Sequence, residues 1–329
     1  MPPQGSVPGF CGIDLLLDDL GFDENEAEER HALMQADEEG NLMRDSTRSI
    51  VIFGVASLVA VAAGCAAMAQ SGVAPSSWLR SVVAWAVGAG LASLLARYGE
   101  PRSASTGAVV LATGALVATL FGAGVEGVHR WLDIGPLHIN AAALLLPALI
   151  VGLAAIRMTS PIGLVLTLIA ATVLLAQPDA SQLTSFAIAA SILVARSSVA
   201  LRWKPFALLV AVVFAVAGWR RPDPLDPVAE VEQIFAMCLA VSPFLALLAG
   251  LALAAAAVAP LSVSTPAGHP ARDGAIALSA YFVSVSIAPF LGWFPVPLVG
   301  LGMSFPVGFW LGLGLLLVIG RHPHGSGVG

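Results

Sequence analysis

Of 329 residues, 57% are hydrophobic and 11% charged, where a soluble domain carries charge on about a quarter of its residues. That excludes a soluble enzyme and a nucleic-acid binder and marks an integral membrane protein. The formal net charge of −6 says nothing about partners, because acids crowd the first 47 residues while most arginines lie beyond them. Cys11, Cys65 and Cys238 are scattered along the chain, which supports neither a disulfide framework nor a cysteine-based metal site.

Residues 1–47 contain no apolar run long enough to span a bilayer, and their acids include Asp18, Asp19, Glu24, Glu26 and Glu38. A signal peptide needs a basic start followed by an apolar stretch, so this is none. The segment reads as a disordered cytoplasmic tail, with a short amphipathic helix at 13–17 as the alternative. From residue 48 to 321 the chain reads as one transmembrane domain, and 322–329 as a short cytoplasmic tail.

Within that domain, apolar runs separated by charge, Pro or Gly recur at about the length a 30 Å hydrocarbon layer requires. They cover 49–70, 79–96, 106–124, 139–156, 161–177, 183–195, 206–219, 234–259, 274–294 and 296–320. The expected fold is therefore all-α, a polytopic bundle of about ten membrane helices. The sixth and seventh runs are short enough that a re-entrant pair there would leave eight. An even number puts both termini on one side. Positive residues of short loops stay in the cytoplasm. With the amino terminus inside, Arg97, Arg102, Arg157, Arg196, Arg202, Lys204, Arg272 and Arg321 fall inside, against Arg80, Arg130, Arg220 and Arg221 outside. Both ends are accordingly expected in the cytoplasm. Backbone that is not helical cannot face lipid, so the Pro- and Gly-rich stretch 289–306 must be buried or line a cavity.

Few ionisable residues remain to do chemistry, and on this topology many share the outer face. The loop after the third run carries Glu126, His129, Arg130 and Asp133; that after the fifth carries Asp179. The loop after the seventh run carries Arg220, Arg221, Asp223, Asp226, Glu230 and Glu232. A carboxylate there can take a proton from an attacking hydroxyl, and an arginine can hold a phosphate by forked hydrogen bonds. The alternative is that these loops are polar only because they stand in water. His322 and His324 have metal-compatible spacing, but on a Gly-rich end they read as solubilising. Gly308 and Gly312 read as a close-packing helix face. No span carries the buried acids expected of a proton-driven transporter.

Three stretches resemble, in order, the motifs of one family. Gly127-Val128-His129-Arg130-Trp131-Leu132-Asp133-Ile134-Gly135-Pro136 is similar to the Gly-x-Arg-Arg-Trp-hydrophobic-x-hydrophobic-Gly-Pro loop of the SEDS proteins of shape, elongation, division and sporulation, the RodA/FtsW group. Gln177-Pro178-Asp179 resembles that family's Gln-Pro-Asp-Leu-Gly-Thr loop. Residues 295–304, ending in Met303-Ser304, resemble its Pro-Leu-Pro-Phe-hydrophobic-Ser-Tyr-Gly-Gly-Ser segment. The resemblance covers about residues 48–320. There are departures: the family's Gln-Pro-Ser-Glu and following Lys are replaced by Asn140-Ala141-Ala142-Ala143 and leucines. Its Thr-Asp-Phe-Ile-Phe-Ala stretch is matched by Val231-Glu232-Gln233-Ile234-Phe235-Ala236, with glutamate in place of the catalytic aspartate.

The resemblance implies a divergent peptidoglycan glycosyltransferase that polymerises lipid II, or another polyprenyl-diphosphate-linked sugar, at the outer face of the bacterial cytoplasmic membrane. The setting would be cell-wall synthesis for shape or division. Glu232 would be the base, and Arg130, helped by Arg220 or Arg221, would hold the diphosphate; His129, Trp131, Asp179 and Ser304 complete the implied substrate site. A class B penicillin-binding transpeptidase is the implied partner. The sequence indicates no metal, and leaves open whether a divalent cation takes part. Two alternatives stand beside the enzyme: a catalytically impaired SEDS-like membrane partner or regulator, and a lipid-linked-sugar flippase.

Overall fold

A computed structural model describes residues 24–135, 137–263, 265 and 268–321. The candidate helix at 13–17, Cys11, His322 and His324 lie outside the described residues. By its internal contacts the chain divides into Met1–Arg44 and Asp45–Gly329; the second unit carries the membrane bundle.

Long runs of Ala, Leu and Val have no way to satisfy backbone N–H and C=O groups in a bilayer except within helices, and helices dominate. In chain order they are α1 (Glu24–Gln70), α2 (Pro75–Tyr98), α3 (Pro101–Thr119), α4 (Ala141–Ala155), α5 (Pro161–Ala176) and α6 (Ala180–Arg196). Then come α7 (Lys204–Trp219), the short α8 (Ala229–Glu232), α9 (Ile234–Val241), α10 (Pro243–Val258), α11 (Pro270–Ile287) and α12 (Ser304–Gly320). Five helical stretches are long and apolar enough to cross a membrane: Thr47–Gln70, Pro75–Tyr98, Leu201–Trp219, Pro243–Ser262 and Pro270–Phe290. Shorter apolar helices are α4, α5, α6 and α12. Each expected span thus meets a helix, and the all-α membrane bundle holds.

The differences are local and have physical causes. α1 begins at Glu24 rather than after residue 47, over a segment rich in Glu, Ala, Leu and Met, which favour helix. α3 starts at Pro101, five residues before the run at 106, because the Glu100 carboxylate accepts from the Arg102 and Ser103 N–H groups and caps the first turn. The eighth span is two helices. Ser242 is extended (φ −167°, ψ 136°) ahead of Pro243, as the residue before a proline prefers. Residues 139–140 and 296–303 are not helical. The first pair belongs to a two-stranded antiparallel hairpin, β1 (Trp131–Ile134) and β2 (Leu137–Asn140), which the all-α reading did not contain. Its register pairs Trp131 with Asn140 and Asp133 with His138. Gly135, at φ +59°, supplies the left-handed turn residue that a tight hairpin needs.

The core forms where α12 packs against α2 and α4, and α11 against α6 and α4. Phe53, Leu146, Tyr281, Phe282 and Phe309 are fully buried there, and the Phe282 and Phe309 rings stack at 3.6 Å. Gly308 lets α12 touch α4: a Cβ there would overlap the Ala143 carbonyl oxygen, and one at Gly312 would lie 2.6 Å from Pro147 Cβ. Cys65 and Cys238 are free thiols buried in this core.

Candidate functional site

One end of the bundle gathers the loops that follow α3, α5, α7 and α11, the same loops that the arginine asymmetry assigns to the outer face. Arg130, just before β1, is the knot. Its side chain is 7% exposed. Its Nε donates to the Gln177 carbonyl (3.1 Å) and its Nη2 to the Pro178 carbonyl (2.8 Å). Nη2 also pairs with the Asp223 carboxylate, and Asp179 Oδ2 stands 3.9 Å from Nε. Buried guanidinium is tolerable only when its charge and donors are met in this way. Two motifs 47 residues apart, and the loop after α7, are thereby held on one side chain.

Asp179 is buried and mainly structural. Its Oδ1 accepts from the Gln182 N–H (3.2 Å) and the Ser181 hydroxyl (3.0 Å), capping α6. Gln177, on the other flank of Pro178, is fully buried and donates to Thr119 Oγ1 at the end of α3. The Pro- and Gly-rich segment before α12 is anchored on α8: Val296 N–H donates to the Val231 carbonyl (3.0 Å) and Leu301 N–H to that of Glu230 (2.8 Å). The segment is buried from Val296 through Gly300, as backbone without helix must be at this depth. Ser304, at the start of α12, accepts from the Asn140 N–H at 3.0 Å and so ties the hairpin's last residue to the final helix.

These anchors surround a cavity of about 290 Å³ with both charged and apolar walls. Arg130, Trp131, His138, Asn140, Asp223, Asp226, Glu232, Trp293, Met303 and Ser304 are in its wall. Of the sequence-derived residues, the structure therefore brings Glu232, Arg130, Trp131 and Ser304 together. His129 does not line it; its Nδ1 contacts the Gly122 carbonyl at 3.0 Å. Arg220 and Arg221 are exposed and outside the wall, and Arg221 caps α5 through the Leu175 carbonyl at 2.9 Å.

Glu232 closes α8. Its Oε2 accepts from the Val228 N–H at 2.7 Å. Partial burial pushes its carboxyl above the ordinary range, opposed by that hydrogen bond, and the nearby Asp223 adds a smaller push upward. Asp223 is committed to Arg130 and to the Leu225 N–H (3.2 Å), while Asp226 is exposed on the cavity wall. Arg130 spends Nε and Nη2 on protein groups, and its Nη1 has no partner among the described residues, which leaves two N–H donors for an anion.

Sequence reasoning missed His138, Trp293 and the wall role of Asn140. His138 stacks on Trp131 (4.8 Å, 21°) and its Nδ1 meets Asp133 Oδ1 at 2.5 Å across the hairpin. The signal was present as apolar–polar alternation on both sides of Gly135-Pro136. Among the described residues no group of three His, Cys, Asp or Glu side chains is close enough to hold a metal ion.

No protein-family model matches the chain, and no curated protein does. Solved structures do. The rod shape determining protein RodA of Thermus thermophilus superposes with a TM-score of 0.55 at 20% identity, covering 82% of this chain and 95% of that one. An aspartate-to-alanine mutant of the same protein gives 0.56 at 21%, covering 82% and 96%. A chain from a peptidoglycan synthase complex, described for its structural coordination of polymerization and crosslinking, gives 0.58 at 21%, covering 83% and 98%. The chain has the RodA fold over almost the whole of these proteins.

Proposed function

We propose that this chain is a divergent SEDS-type glycosyltransferase of the bacterial cytoplasmic membrane that polymerises lipid II for shape or division. One observation carries the reading: two of the motif-like loops, far apart in sequence, line one cavity and the third is hydrogen-bonded to its Arg130, and the cavity holds a carboxylate of raised pKa beside that arginine with two unused donors. The RodA fold supports it. In the reaction, the acceptor sugar's hydroxyl attacks the donor sugar carbon at its bond to the diphosphate. Glu232 takes the hydroxyl proton, and undecaprenyl diphosphate leaves. A base works best with a pKa nearer neutrality than a free carboxylate has, which partial burial supplies here. Arg130 Nη1 offers two N–H donors to the developing diphosphate charge, and Trp131 offers an aromatic face to a sugar ring. Asp179 fixes the loops from outside the wall, while Ser304 both ties the hairpin to α12 and lines the cavity. Arg220 and Arg221, outside the wall, would contribute positive potential only, and His129 also lies outside it.

The likeness to a chain of a peptidoglycan synthase complex supports a transpeptidase of the class B penicillin-binding type as the partner. The test is gel analysis of labelled lipid II incubated with the purified full chain, with and without that partner, beside an active RodA. Glycan strands support the enzyme. Folded protein that makes none in either condition, beside an active control, overturns it in favour of the regulator or flippase. The lost Glu/Lys pair of the fourth span, where this chain has Ala143 and leucines, and the short outer loop ahead of Glu232 are what favour the regulator.

A further inference from the structure

A second cavity, of about 430 Å³, lies at the opposite end of the bundle between α5, α6 and α7. Its wall is almost wholly apolar; Leu164, Leu168, Phe186, Val210 and Phe214 are typical. The hydroxyls of Thr167 and Ser191 are turned onto carbonyls of their own helices, Gly163 and Ala187 (both 2.7 Å), so the wall asks for no polar ligand. The cause is the way α7 is held. Gly218, at the α5–α6 end where it meets Leu183, is its one buried residue, so the helix stands away from α5 over most of its length.

The groove runs from Trp203, just ahead of α7, along that helix to Phe214, about 16 Å at 1.5 Å per residue, which is about half of a 30 Å hydrocarbon layer. It is the depth of a single leaflet. At the end that the arginine asymmetry places in the cytoplasm, which we take as the mouth, the wall is Met158, Thr159, Val199 and Trp203, in the loops before α5 and before α7. Those loops carry Arg157, Arg202 and Lys204 and no acid. Arg157 and Arg202 are exposed. Lys204 Nζ donates to the Ala195 and Ser197 carbonyls (2.6 and 3.1 Å), which offsets the negative end of α6. The N-termini of α5 and α7, the positive ends of their dipoles, open at the same mouth. The nearest acid on the elements packed there, Asp273 of α11, is taken by Arg196 at 2.5 Å.

We propose that this groove binds an anionic phospholipid of the cytoplasmic leaflet, one acyl chain along α7 and the phosphate headgroup between Arg157 and Arg202. The complementarity of a cationic mouth and a one-leaflet apolar groove argues for that ligand over a zwitterionic lipid, and its depth argues against a chain that crosses the bilayer. The site is independent of the reaction proposed above.

The test uses the full chain in nanodiscs of equal phosphatidylglycerol and phosphatidylcholine, each supplied in turn with a photocrosslinker on its acyl chain, with labelled peptides mapped. Phosphatidylglycerol should label α5–α7 peptides several-fold more than phosphatidylcholine, and R157Q/R202Q, changing two exposed residues, should bring the ratio to about one. Ala211→Phe, which fills the groove from the loosely held α7, should lower labelling by both lipids. Equal labelling in the wild type, meaning boundary lipid only, overturns the proposal. So does a phosphatidylglycerol preference that survives R157Q/R202Q, or one that inorganic phosphate abolishes.

Discussion

Replacing Arg130 by lysine keeps the charge and removes the fork, which isolates what the buried guanidinium does. Nε and Nη2 reach two different carbonyls, at 3.1 and 2.8 Å, while Nη2 also holds Asp223. An ammonium is a single point and cannot occupy both donor positions. It can keep the Asp223 pair and lose at least one carbonyl. A hydrogen bond involving a charged group contributes about 1.5–3 kcal/mol, and an orphaned buried carbonyl adds its own desolvation cost, so Arg130→Lys should destabilise by about 2–4 kcal/mol. At about 2–4 °C per kcal/mol, thermal unfolding in detergent, followed by tryptophan fluorescence, should fall by about 4–16 °C. Arg130→Met should fall further, because Asp179 and Asp223 then face each other without a cation. In the double variant with Asp223→Asn the losses should be less than additive. An Arg130→Lys midpoint within about 1 °C of wild type would mean that the three loops are not held on this side chain, and that the cavity is shaped by something else.

The raised pKa of Glu232 makes activity and stability move in opposite directions with pH. The folded state holds this proton more tightly than the unfolded chain, so the contribution to stability is present at acid pH and is lost as pH rises through the raised value. The deprotonated base, by contrast, is what the reaction uses, so polymerisation should rise over the same window. Glu232→Gln should flatten this part of the melting-temperature profile, and an unchanged profile contradicts the assignment. In the helix contacts, Gly308→Ala should prevent stable folding because its Cβ overlaps the Ala143 carbonyl. Gly107→Ala on α3, where nothing lies within 4 Å, should stabilise by about 0.5–1 kcal/mol; equal melting shifts in detergent for the two would refute the packing described for α12.

The spans were legible because run length against bilayer thickness is a strong signal, and their ends were not, because caps act on single residues. Glu100 and Ser242-Pro243 each moved or broke a helix through one side chain or one ring. Convergence of the loops could be anticipated from topology, since the stretches at 127–136, 177–179 and 295–304 fall on one expected face. What could not be read was which charges meet. Arg130 was marked for substrate, yet two of its nitrogens are bound to loop carbonyls and Asp223, contacts 47, 48 and 93 residues away in sequence. Arg220 and Arg221 carry the same charge on a neighbouring loop and fall outside the wall. The hairpin escaped because strands of four residues are too short for periodicity to outweigh the flanking apolar runs.

The most direct measurement is strand formation from lipid II by wild type and Glu232→Gln at matched concentration, with melting temperatures recorded alongside. Removing a general base costs about 100- to 10,000-fold. Wild type should form strands, and the variant should remain folded while losing about 100-fold or more of that activity. Equal strands from both would keep the enzyme but contradict Glu232 as its base and turn attention to Asp226 on the same wall.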